Sequence, residues 1–238
     1  MGAEVFDLAS ASSAESATGA LRQLNQRLHD LTEETAKTPW RILHPRGAHA
    51  VAAGVNAPVE IDIQGHVGYY CAGMNQRAHI TVHGMVGVGV AENMMSGLVR
   101  VKGHASQCAG ATGHGGLLVI EGDASSRCGI SMKGIDIVVG GSVGHSSCFM
   151  AQAGNLVVCG DADEALGDSL YEARIFVRGR VAGLGADCIE KPMRDDHLSA
   201  LAELLARAAL PDVRPEEFRR YGSARQLYNF KVDNASQY

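Results

Sequence analysis

The sequence predicts an all-β protein: a right-handed parallel β-helix of about seven 19-residue coils, with helical flanks. Three observations predict it. A glycine recurs every 19 residues, a pair of aliphatic residues stands at fixed positions before each one, and aromatics make up only 5% of the chain, which leaves the core to Ile, Val and Leu. Internal periodicity at this scale marks a solenoid.

The repeat glycines are Gly65, Gly84, Gly103, Gly122, Gly141, Gly160 and Gly179. Two residues before each stand Ile63, Val82, Val101, Ile120, Val139, Val158 and Val177; four before stand Ile61, Ile80, Val99, Leu118, Ile137, Leu156 and Ile175. Between them lie polar or mixed residues such as Asp62, Thr81, Arg100 and Phe176. That alternation has the period of a strand with one buried face. The glycine then marks a corner where a Cβ is not tolerated. Further glycines follow three residues later (Gly68, Gly87, Gly144) or precede the next strand (Gly97, Gly116, Gly154). Gly134 falls one residue early and predicts a shifted corner in that coil. An antiparallel barrel would not keep residue type in phase seven times, whereas a parallel solenoid stacks like on like at ~4.8 Å per coil, so seven coils rise about 34 Å. On this phase Val101 faces a dry interior.

The chain divides into an N-terminal helix and lead-in (1–58), the repeat (59–190), and a C-terminal helix and tail (191–238). Leu21, Leu24, Leu28 and Leu31 form one helical face, with Thr18 a candidate cap and Pro39 a stop. Arg41 to Ala57 reads as a lead-in loop or an irregular first coil. Gly183 and Gly185 suggest a last turn. Asp195 or Asp196 caps a second helix carrying Leu198, Leu201, Leu204 and Leu205. Helices at both ends would cover the open edges that a solenoid leaves. Beyond them Phe218, Tyr221, Leu227, Tyr228 and Phe230 crowd apolar and aromatic side chains into thirteen positions, which suggests docking on a surface, the chain's own or a partner's.

The net charge of -5, with no Lys/Arg run longer than Arg219–Arg220, argues against nucleic-acid binding. Neither a signal-peptide pattern nor an 18-residue apolar stretch is visible, and six cysteines without secretion signals suit a reducing compartment, so a cytoplasmic protein is expected. Gly140-Gly-Ser-Val-Gly144 matches a nucleophile elbow, but two of its glycines are in repeat register, which favours a solenoid corner. Phosphate-cradling glycine loops, H-E-x-x-H and C-x-x-C are absent. Cys71 and Cys128 share one phase, with Cys108 and Cys148 a residue to either side; a ladder of buried thiols is favoured over an iron–sulfur site because the spacing is not compact. His66, His83, His104, Gln64 and Lys102 flank repeat glycines, and His79 could line one lateral face with His83; a solvated polar face is favoured, with a partner surface as the alternative. No catalytic, cofactor-binding or metal-binding residue is expected.

The repeat from Ile61-Asp-Ile-Gln-Gly65 to Ile175-Phe-Val-Arg-Gly179, about half of the chain, resembles the glycine-repeat domain at the C-terminus of the glutamate synthase large subunit. Ala91-Glu-Asn-Met-Met-Ser-Gly97, Cys128-Gly-Ile-Ser-Met-Lys-Gly134 and Tyr221-Gly-Ser-Ala-Arg-Gln-Leu-Tyr-Asn-Phe230 narrow the resemblance to the free-standing glycine-repeat subunit of N-methylglutamate synthases. The resemblance implies a split enzyme that combines methylamine with L-glutamate and releases ammonia. Its partners would be a class II glutamine-amidotransferase-like subunit and an FMN-binding synthase subunit with an iron–sulfur cluster, with this chain a non-catalytic scaffold between them. Gly2 follows Met1, so trimming would expose no cysteine nucleophile here. Two alternatives remain open. One is the glycine-repeat subunit of a formylmethanofuran dehydrogenase or formyltransferase-hydrolase complex in one-carbon metabolism. The other is an independent β-helix binding module.

Overall fold

The computed structural model describes residues 2–10 and 14–226. Its spine is one eleven-stranded sheet. Seven strands match the metred segments: β3 (Glu60–Gln64), β4 (His79–Val82), β5 (Leu98–Val101), β6 (Leu117–Ile120), β7 (Lys133–Val139), β8 (Ala153–Val158) and β9 (Arg174–Val177). Each pairs in parallel with the next, in the register the repeat demands: Ile61 beside Ile80, Ile80 beside Val99, Val99 beside Leu118. The fold is therefore a parallel β-solenoid. All fourteen predicted aliphatics are at most 2% exposed. The early Gly134 coincides with a register shift between Lys133 and Asp136 against β8.

Two more rungs precede the metred ones. Here β1 (Glu4–Asp7) and β2 (Trp40–Leu43) join the sheet in parallel, so of the two readings of Arg41 to Ala57 the irregular first coil is the one that holds. The period hid it, because Ile42 pairs with Ile63 at a spacing of 21 residues instead of 19. Between these strands, α1 (Ala14–His29) buries Leu24 and Leu28 in the same core as Val51 and Val55. Asn25 fixes α1 to the first coil: its amide donates to the Ala50 carbonyl (2.8 Å) and its carbonyl accepts the Ala52 N–H (3.0 Å). Thr18 is not the cap, since the helix begins four residues earlier at Ala14.

Each coil then turns through a single-residue bridge, one column running Val67, Val86, Ala105, Ala124, Val143, Ala162 and Val181. The third wall is built differently. Every second residue there adopts left-handed backbone: Tyr70, Ala72 and Met74 in one coil, Gly89, Ala91 and Asn93 in the next, then Cys108, Gly110 and Thr112. Their N–H groups bond the neighbouring coils alternately up and down, as in Tyr70 to the Val88 carbonyl and Ala72 to the Val51 carbonyl. Those inter-coil bonds offset a conformation that costs non-glycine residues roughly 1–2 kcal/mol each.

The far end of the sheet is not closed by a helix, as expected, but by two antiparallel strands. The strand β11 (Arg219–Ser223) pairs with β9, and β10 (Cys188–Lys191) pairs with β11. Instead α2 (Asp195–Arg207) lies across the outer face of the sheet. Its Leu201, Leu204 and Leu205 pack on Leu117, Val119, Val138, Val157 and Phe176. The helix packs mainly on the coils whose outward residues are apolar, and its C-terminal end meets Arg100 of β5. Arg194, not Asp195 or Asp196, occupies the N-cap, where its N–H donates to His197 Nδ1 (3.2 Å). The two aspartates sit in the first turn, which suits the helix dipole. No helix among the described residues is long and apolar enough to cross a membrane.

Candidate functional site

The corner after each strand carries the most organised polar chemistry of the rod. One residue past the repeat glycine, a side-chain acceptor takes the backbone N–H of the equivalent residue in the next coil. His66 Nδ1 accepts from Met85 (2.9 Å), His104 Nδ1 from Asp123 (2.8 Å), Asp123 Oδ1 from Ser142 (2.8 Å), Ser142 Oγ from Asp161 (3.0 Å), and Asp161 Oδ1 from Arg180 (2.7 Å). Met85 has no strong acceptor and interrupts the column. His, Asp and Ser serve alike because the position needs a lone pair at the right reach, not a particular residue. This ladder escaped sequence reading: its members share a spacing of 19 but no residue type.

The ladder also explains the glycines. Of the seven, only Gly65 lies in the left-handed region (φ +132°). The others are glycine because the preceding coil is too close. A Cβ on Gly84 would sit 2.7 Å from the Gly65 carbonyl carbon, and one on Gly103 2.8 Å from the Gly84 oxygen. On Gly122, Gly141, Gly160 and Gly179 it would also strike the acceptor below: His104, Asp123, Ser142 or Asp161. Ser142, the would-be nucleophile, is thus a rung of the ladder at a solenoid corner.

Five of the six cysteines are buried; Cys108 is intermediate. Burial pushes the Cys71 and Cys128 thiols up to about 12 and raises Cys148 as well; Cys108 is partly exposed and also raised. Held as thiols at neutral pH, they act as small apolar side chains. Among the described residues no three His, Cys, Asp or Glu side chains converge as metal ligands would. His79 and His83 do line one lateral face, each paired at 2.9 Å with a carboxylate one strand away, Glu60 and Asp62.

The proposed docking residues divide. Phe218 packs under α2 and Tyr221 enters the main core, 5% and 2% exposed. They serve the chain's own packing and leave the docking set, because β11 is an integral strand. Leu227, Tyr228 and Phe230 lie outside the described residues.

Comparison with known proteins adds one relative at high identity. Over 222 residues the chain is 64% identical to "Protein GlxC" of Rhizobium meliloti (strain 1021), covering 93% of this chain and 97% of that protein. The chain belongs to the GlxC family. Coverage on that scale takes in most of both flanks as well as the repeat. No family model matches the chain, and no solved structure matches it.

Proposed function

We propose that the chain is the non-catalytic scaffold subunit of a glutamate-synthase-like complex, in particular an N-methylglutamate synthase. The observation that carries this reading is the corner ladder. The column most able to do chemistry, with His66, His104, Asp123, Ser142 and Asp161, spends its acceptors on the backbone of the next coil. What results is a stiff rod. Such a rod holds two partner active sites at a fixed separation, so an intermediate released at one is captured at the other. Membership of the GlxC family and the glycine-repeat resemblance support the reading.

On this reading the amidotransferase-like partner and the synthase partner bring the reactive groups, including FMN and an iron–sulfur cluster, and the assembly works in the cytoplasm. The test is affinity purification of the tagged chain from its source organism. Two further polypeptides, one of them yellow with flavin, should come with it. Recovery of a partnerless chain at native expression levels contradicts the proposal. An amidohydrolase-like companion would favour the formylmethanofuran dehydrogenase alternative.

A further inference from the structure

We infer that the N-terminal mouth of the rod is a docking site for a carboxylate-bearing, otherwise apolar segment of a partner polypeptide. The inference rests on the scaffold reading in needing a partner, and it adds where that partner binds and by what chemistry. A cleft of about 490 Å³ opens between α1 and the first coil. Leu8, Ala9 and Leu21 line one side, and His44, Arg46 and His49 the other. That volume suits a few side chains.

The cleft holds an exposed cation whose charge acts on the Asp7 carboxylate without bonding to it. Arg46 makes no hydrogen bond or ion pair among the described residues. The nearby carboxylate, Asp7, is already engaged by His44 Nδ1 (2.9 Å) and by the Ala9 N–H (2.8 Å). His44 and Arg46 both hold left-handed backbone, φ +50° and +48°. In the later coils this conformation belongs to the third wall, and the corners at Gly84–Val86 and Gly103–Ala105 lack it. The next corner shares the trait in part, at Gly65 (φ +132°), so the first two corners differ in backbone from those that follow.

His49 joins the cleft to an apolar shelf. Its ring stacks on Tyr69 (4.6 Å), and Tyr69 meets Tyr70 edge-on (6.4 Å). Nδ1 of His49 accepts the Tyr69 N–H, so the ring is fixed in place. Of the nine large apolar side chains exposed among the described residues, five fall within Tyr69–Met95: Tyr69, Tyr70, Met74, Met85 and Met95. Tyr69 and Tyr70, in contact and each about half exposed, form the shelf, and Tyr is enriched at interfaces. Glu92 lies beside the Tyr70 ring, since a Cβ on Gly89 would touch both. The two ends thus differ in sign. An occupant must place its carboxylate at Arg46 and its apolar side chains along Tyr69 and Tyr70. A small organic acid would leave the shelf unused, and a polypeptide segment uses both.

The experiment measures hydrogen–deuterium exchange of the full chain alone and in the complex purified with it, alongside the Arg46→Glu variant. Assembly should slow exchange at 44–49 and 69–74. Arg46→Glu should weaken association at least tenfold, by charge reversal at a complementary contact, without moving the melting temperature. Wild-type affinity for Arg46→Glu, or protection elsewhere on an intact complex, overturns the site and spares the scaffold reading. Failure of any complex to form overturns both. Concentration-dependent protection in the isolated chain would mark a second copy as the occupant. Protection of 44–49 by millimolar glutarate, with 69–74 untouched on assembly, would mark a small-acid site; either result ends the inference.

Discussion

Two stretches of the same repeat, β3–β5 and β6–β9, share a metre, a core and a corner, yet present opposite outer faces. In the first the outward residues are Asp62, Thr81 and Arg100, joined across the sheet by pairs such as His83–Asp62 and Arg100–Glu121. In the second they are Val119, Val138, Val157 and Phe176, all buried beneath α2. The inner aliphatics thus set the coil, and the outer residue alone decides whether a coil faces water or a helix. Arg100 stands at the boundary: its guanidinium donates to the Ala208 carbonyl at the end of α2 (3.1 Å), where a cation suits the helix dipole.

The largest contrast between the two stretches comes from placing one charge at the same outer position in each, Thr81 and Val138, with the inner Val101 as a reference. Val101→Asp and Val138→Asp should each cost about 3–5 kcal/mol, because both sites are dry and offer no partner. Thr81→Asp, on the open face, should stay within about 0.5 kcal/mol. Urea denaturation of the three variants reads the result; a loss for Val138→Asp as small as that for Thr81→Asp would mean that α2 does not cover the second face.

A smaller effect separates the glycines. Gly103→Ala forces a methyl against the Gly84 carbonyl, and backbone cannot yield as a side chain tip does, so a loss of about 1–3 kcal/mol is expected. Gly183, whose Cβ would meet nothing closer than 3.8 Å, should accept alanine within about 0.5 kcal/mol. If thermal melts show the two alike, close stacking is not what selects the repeat glycines.

The covered face also carries a pH signature. His197 is fully buried and its pKa is lowered to about 4, first by burial and then by Arg220. Between its ordinary value of 6.5 and about 4 the unfolded chain binds a proton that the folded chain refuses, so stability falls as pH falls through that window and is intact above it. The loss should be about 1–3 kcal/mol. In His197→Gln, which keeps an acceptor without titrating, urea midpoints should decline less over the same range; parallel declines would remove His197 as the cause.

The smallest effect belongs to the corner. His104→Ala removes one ladder acceptor from a solvent-reachable N–H and should cost about 0.5–1.5 kcal/mol. Met85→Asp, which supplies the missing acceptor, should return a similar amount. Calorimetry on the pair distinguishes a working ladder from a decorative one.

How much of this was legible in the sequence follows from which features keep residue type. The fourteen inner aliphatics do, since a dry core accepts little else, and they disclosed β3–β9 and their register. The corner acceptors do not, because His, Asp and Ser offer equivalent lone pairs. The left-handed wall was hidden for a related reason: Tyr70, Ala72 and Met74 hold a conformation in which glycine would have been the signal. Val119, Val138, Val157 and Phe176 seat α2, but at the sequence level only Phe176 was singled out, as an ordinary intervening residue. β1 and β2 escaped because α1 separates them and the next spacing is 21. Of the docking residues, Phe218 and Tyr221 carried the correct apolar signal, which their own strand and core satisfy.

If this chain organises a reaction without performing it, activity must depend on the whole assembly. The direct measurement is formation of N-methylglutamate from methylamine and L-glutamate by the purified chain, by the two partner polypeptides, and by all three together. A scaffold role predicts no product from the chain alone and efficient turnover only when the three are combined. Turnover by this chain unaided, or full activity of the partners without it, would contradict that role.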